Sequence, residues 1–186
     1  MSKTNKSARY SKPVIILHWL MLLLMIGVYS FIELRVLFPK GTEPRELMKT
    51  IHFMLGLTVF LFVLIRIYFR LFSTTPAIEP VPSLLVQYVS KAMHLALYAL
   101  MIAMPIAGWL ILSAAGKPIP FYGLELPPIV AKNKELADNI KELHEAAGSL
   151  GYFLIAGHAL AGLYHHYIRR DNVLTRMLLS KSNLTN

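Results

Sequence analysis

The sequence predicts an all-α integral membrane protein: a four-helix transmembrane bundle with both termini in the cytoplasm. Three observations point there. The 186-residue chain is 55% hydrophobic and has a mean hydropathy of +0.52, too apolar for an ordinary soluble domain. It holds four apolar runs, each long enough to supply the ~20 helical residues that a bilayer crossing needs. Its charge is also one-sided. With the N-terminus inside, the inner segments from Lys3 to Lys181 carry eleven basic residues against Glu79 and Asp171, while the outer loops carry eight of each sign. The net charge of +9 thus follows the positive-inside pattern. The basic balance reflects topology and membrane lipid, with no nucleic acid needed to explain it.

The elements follow in order within a single domain, residues 1–186. The first helix spans about 14–32, after Lys12 and Pro13. It is too long for a signal-peptide core and has no Ala-x-Ala-like site after it, so it reads as a retained span. The outer loop "ELRVLFPKGTEPRELMKT" breaks at Pro39, Gly41 and Pro44. The second helix spans about 51–72, and the inner loop "STTPAIEPVPS" is extended by its prolines. The third spans about 92–115, with a kink expected at Pro105. In the second outer loop, "GKPIPFYGLELPP" reads as irregular. "AKNKELADNIKEL" has charged helical character and leads into the fourth helix, about 143–167. The basic tail ends in a short surface helix. Runs this long satisfy their backbone in lipid as helices.

Cysteine is absent, which removes disulfides, iron–sulfur clusters and covalently attached haem. Histidine is where the chemistry gathers. A histidine in hydrocarbon is unfavourable unless something engages it. His144 and His158 are 14 residues apart, so they share one helix face about 21 Å apart along the axis. His52 opens the second helix at its outer end, and His18 lies near the inner end of the first. Depth therefore sorts the four into an outer pair, His52 with His144, and an inner pair, His18 with His158. Such pairs suit two non-covalent haem b groups, each ligated from both faces. Gly56, Gly148, Gly151 and Gly162 lie near these histidines and leave room for a flat macrocycle, although glycine also serves helix packing. Zinc would instead want clustered tetrahedral ligands.

"LHWL", "KTIHFMLG", "HEAAGSLGYFLIAGHALAGLYHHY" and "RRDNVLTRML" together resemble the prokaryotic cytochrome b561 family over nearly the whole chain. The resemblance implies four transmembrane helices in a bacterial inner membrane, two haem b groups and electron transfer linked to ubiquinone. Its ligand positions fall on His18, His52, His144 and His158. Some members oxidise superoxide at the periplasmic face, which implies a superoxide:quinone oxidoreductase-like activity or another periplasmic redox partner.

Other residues have two readings each. Arg66 repeats the 14-residue spacing from His52, so it either faces the inner site and pairs a haem propionate or snorkels to the cytoplasmic surface. His94 and His165 either sit in the wet interface or contact a quinone or propionate, and His94 is the rival inner ligand. Lys49, three residues before His52, either helps Arg35, Arg45 and Lys117 draw an anion to the outer haem edge or is balanced by Glu43, Glu46 and Glu125. Trp19, Tyr29 and Trp109 read as interfacial aromatic residues. Two other functions stay open. One is a haem-bearing anchor subunit of a larger dehydrogenase or hydrogenase. The other is a haemless His-based metal or proton transporter.

Overall fold

The computed structural model describes residues 9–179, so Lys3, Lys6 and Lys181 of the inner charge lie outside the described residues. Four helices are long and apolar enough to cross a membrane: α1 (Lys12–Leu34), α2 (Glu43–Leu71), α3 (Leu84–Ala115) and α4 (Lys134–Tyr164). They pack mainly as two hairpins, α1 with α2 and α3 with α4, joined along the α2–α3 seam, while α1 and α4 approach each other at few points. Most large apolar side chains, such as Leu23, Leu61, Leu95 and Phe153, face outward, as lipid-facing positions must. Met21, Val59 and Val63 form the buried core between the first two helices and α3.

Three helices start eight or nine residues before their apolar runs. Hydropathy finds the part of a helix that lies in hydrocarbon, whereas hydrogen bonding continues into water. Pro44 and the acidic Glu43 and Glu46 fit the first turn of α2, where a missing N–H costs nothing and negative charge meets the helix dipole. Asn133 caps α4 by accepting a hydrogen bond from the Leu136 N–H at 3.0 Å. α3 ends at Gly116, whose φ of +64° permits a left-handed turn. The Gly116 and Lys117 N–H groups return to the carbonyls of Ser113 and Leu112, both at 3.0 Å, which forms a Schellman stop. Pro105 is buried within a continuous α3.

Two parts differ from expectation. The supposedly irregular "PIPFYGLEL" contains a small hairpin, β1 (Pro120–Phe121) paired antiparallel with β2 (Leu124–Glu125). Its two-residue turn, Tyr122–Gly123, has positive φ at both positions. That is the twist hairpins favour, but Tyr-Gly is a weak signal beside Asn-Gly. The hairpin folds onto α2, where the Tyr122 and Thr58 hydroxyls lie 3.0 Å apart.

The tail is also no simple surface helix. α4 passes into a π-helical turn over His165–Arg169, and then a short 3-10 turn, Thr175–Met177, tucks under the bundle. Arg176 is only 5% exposed, lies over the Tyr10 ring and donates to the Pro76 carbonyl. Asn172 bonds both Glu79 and Ala77, and the Trp19 indole donates to the Met177 carbonyl at 2.8 Å. The segment from Arg9, the α2–α3 loop and the tail thus form one cap at the same end of the bundle.

Candidate functional site

The four histidines paired by depth meet as two pairs. His52 on α2 and His144 on α4 have ring centres 6.3 Å apart, with planes at 77°. His18 on α1 and His158 on α4 have centres 6.0 Å apart at 76°. All four are half-buried. Each pair joins helices distant in sequence, so the bundle, not local sequence, creates it.

His94 is nearer still to His158, at 5.5 Å, making the inner site a cluster of three rings with His158 in the middle. His94 is the exposed member. Arg66 lies among them. It is half-buried, donates to the Val14 carbonyl at 3.1 Å, and its charge acts on His18, His94 and His158. Its guanidinium thus reaches across the α1–α2 seam to the first turn of α1.

His165 stands apart from the cluster. Its Nδ1 is 2.5 Å from the carboxylate of Asp171, which is fully buried at its side chain. Asp171 also accepts from the Val173 N–H at 3.1 Å, and Arg169 Nε lies 3.8 Å from it. Sequence reasoning gave Asp171 no role beyond its charge, because its partner becomes visible only once the chain turns back after α4.

At the outer end, Lys49 pairs with Glu46 at 2.6 Å. Arg45 spends donors on the carbonyls of Arg35 and Phe38, at 3.0 and 2.8 Å. Lys117, from the second outer loop, acts on the same Glu46 together with Lys49 and Arg45. The cation whose field reaches His52 is Arg35. Lys49 is thus partly neutralised by Glu46.

The ring geometry suits a flat group ligated from both faces. Two imidazole nitrogens on opposite sides of one metal, each about 2 Å from it, put their ring centres roughly 6 Å apart. Both pairs have that separation. The His144 Nδ1 is buried without a hydrogen-bond partner among the described residues, so this ring has a polar atom still to be satisfied. Gly56 and Gly162 have open space where a Cβ would stand. Gly108 on α3, absent from the sequence reading, faces His144, whose Cε1 would lie 3.7 Å from an added Cβ. Gly151 differs from expectation: the Tyr29 hydroxyl fills its space, so it does not hold room for a macrocycle. Among the described residues, no three His, Cys, Asp or Glu side chains gather as around a bare metal ion.

The family model described as prokaryotic cytochrome b561 matches residues 9–180. The chain belongs to the prokaryotic cytochrome b561 family. Cytochrome b561 homolog 1 of Escherichia coli (strain K12) is 38% identical over 170 residues, 91% of this chain and 97% of that one. The probable superoxide oxidase CybB of Yersinia pestis is 40% identical over 173 residues, covering 93% and 97%. Cytochrome b561 homolog 2 of Escherichia coli (strain K12) is 30% identical over 184 residues, covering 98% of each. As a cytochrome b561, this chain is a multi-pass bacterial membrane protein that carries haem b and transfers electrons.

Proposed function

We propose that this cytochrome b561 is a di-haem oxidoreductase of the bacterial inner membrane, with both termini cytoplasmic, that oxidises superoxide at its outer face and reduces ubiquinone. The observation carrying this reading is the pairing of His52 with His144 and of His18 with His158, each at the ring separation that one metal between two imidazoles requires. Similarity to a probable superoxide oxidase supports the choice of outer substrate.

Bound haem b supplies one-electron redox chemistry. The protein residues do the rest. His52 and His144 hold the outer group, and His18 and His158 hold the inner one. The Val28 carbonyl fixes the His52 tautomer by accepting from Nδ1 at 2.8 Å, which leaves Nε2 free to coordinate. Arg66 has donors beyond the one given to Val14 and places them toward an inner propionate. The exposed His94 is the hydrogen-bonding group offered to a quinone oxygen. His165, oriented through Asp171, is a second hydrogen-bonding group near the end of α4. Lys49, Arg45 and Lys117 around Glu46, with Arg35 beside them, give the outer end a local positive field that favours a small anion. In the overall reaction two superoxide anions each lose one electron and leave as dioxygen. One quinone takes those two electrons and two protons to become quinol.

The test is stopped-flow reduction of the purified cytochrome by superoxide, followed by reoxidation with ubiquinone. Fast reduction that slows with added salt is expected. A slow rate indifferent to salt would remove superoxide as the substrate and leave quinol oxidation toward a periplasmic acceptor as the better account.

A further inference from the structure

α1 supplies neither member of the outer histidine pair, yet it bonds to both helices that do. The Val28 carbonyl accepts from His52 Nδ1 of α2 at 2.8 Å. The next residue, Tyr29, sends its hydroxyl in the opposite direction and donates to the Gly148 carbonyl of α4 at 3.0 Å. Gly148 lies four residues, one helical turn, past His144. A single peptide unit of α1 is therefore joined on one side to the His52 ring and on the other to the helix that carries His144.

This link falls where the bundle is otherwise thin. α1 and α4 touch at few points, and besides this link their gap is tied here by the Tyr152 side chain of α4, which meets Tyr29 and Glu33 of α1. Gly151 makes room for the link. A Cβ at that position would collide with the Tyr29 hydroxyl and also crowd Leu100 at 3.2 Å. The Tyr29 ring is held from its other side by Tyr152, with ring centres 4.5 Å apart, and the Tyr152 hydroxyl donates to Glu33 at 2.8 Å. The hydroxyl-to-carbonyl bond is part-buried, so water competes for it only in part. An unmet carbonyl there is unfavourable, which favours one fixed helix spacing.

We infer that Tyr29 is a positioning residue for the outer histidine pair: through its bond to Gly148 and the adjoining Val28–His52 bond, it sets the spacing and orientation of His52 relative to His144. The inference rests on the reading of that pair as ligands of an outer haem. Tyr29 acts through other residues and touches no substrate. Its loss should therefore alter the electronic character of the outer group before it alters occupancy. Axial-ligand orientation and second-shell bonding are levers on potential and spectrum.

The experiment compares Tyr29→Phe, Gly151→Ala, the double variant and Tyr152→Phe in the haem-loaded, full-length protein. Redox titration and low-spin EPR are the readouts, with the outer and inner signals assigned from His144→Ala and His18→Ala. Tyr29→Phe should shift the midpoint potential and EPR line of the outer haem and leave the inner haem where it was, at unchanged haem content. Gly151→Ala, which displaces the same hydroxyl, should produce a similar shift, and the double variant should go no further than either single one. Tyr152→Phe keeps the ring contact and the Tyr29–Gly148 bond while losing only the bond to Glu33, so it should move the outer signal less than Tyr29→Phe does. Unchanged outer signals in Tyr29→Phe, or equal shifts of both haems, would overturn the inference while leaving the two-haem reading intact. Retention of both haems in His144→Ala would instead overturn the ligand reading on which it rests.

Discussion

The Nδ1 of His52 lies 2.8 Å from the carbonyl oxygen of Val28. A carbonyl can only accept, so Nδ1 must carry the proton and Nε2 must hold the free lone pair. His144 has no such partner at Nδ1 among the described residues. The two outer rings are therefore oriented differently: one by a backbone carbonyl of α1, the other by packing against Gly108 and by its helix.

His52→Ala or His144→Ala is expected to remove one haem and spare the other, taking haem content from two per chain to about one. His18→Ala or His158→Ala should remove the other haem. Pyridine haemochrome assay of each purified variant checks this. Loss of a haem in His94→Ala, with both kept in His18→Ala, would give His94 the inner ligand role that its 5.5 Å approach to His158 makes the main competitor.

Quinone chemistry at the inner end makes a separate prediction. His94 is exposed, and Arg66 lies among the inner rings. Substituting His94 with Gln should slow reoxidation of the cytochrome by ubiquinone by about tenfold or more, the cost of roughly one strong hydrogen bond, with the haem spectrum preserved. His165→Gln and Asp171→Asn should have similar effects, because each breaks the 2.5 Å pair that orients His165. Unchanged reoxidation rates in all three variants would move the quinone site away from this end.

Outer charge should govern the encounter with superoxide. Lys49 is held by Glu46 at 2.6 Å, so reversing Lys49 to Glu removes a cation and leaves Glu46 unpaired. Lys49→Glu and Arg35→Glu should both slow reduction by superoxide, and Glu46→Gln should speed it. All three effects should shrink as salt screens the field. Stopped-flow rates at two ionic strengths decide it. An Arg35→Glu rate equal to wild type at low salt would contradict the assigned field.

The Asn133 cap offers a stability test away from the haems. Its side chain satisfies the Leu136 N–H at the exposed start of α4. Asn133→Ala should lower unfolding stability in detergent by about 1 kcal/mol without altering the haem spectrum. A loss near zero would mean that water replaces the cap.

Much of this protein was legible in its sequence because a bilayer imposes simple rules. Length and apolarity marked out four helices, and the 14-residue separation of His144 and His158 placed two histidines on one face of one helix. What stayed hidden depends on partners distant in the chain. His165 could not be matched to Asp171 until the π-helical turn brought the chain back on itself. Tyr29 read as an interfacial aromatic because its acceptor, the Gly148 carbonyl, is 119 residues away. Trp19 and Trp109 likewise donate to the carbonyls of Met177 and Pro127. Gly151 looked like space for a cofactor, and only the bundle shows a tyrosine hydroxyl occupying it. The early starts of α2 and α3 were missed because hydropathy marks hydrocarbon depth, not hydrogen bonding, whereas the charged helical stretch "AKNKELADNIKEL" did announce the early start of α4.

The most direct measurement is the haem-to-protein ratio of fully loaded, purified protein, read from a dithionite-reduced minus oxidised spectrum and from quantitative amino-acid analysis. Two haem b per chain are expected, both extracted by acid acetone because no cysteine is present to tether them. A ratio of one, or of none, would contradict the assignment of two histidine pairs to two haems.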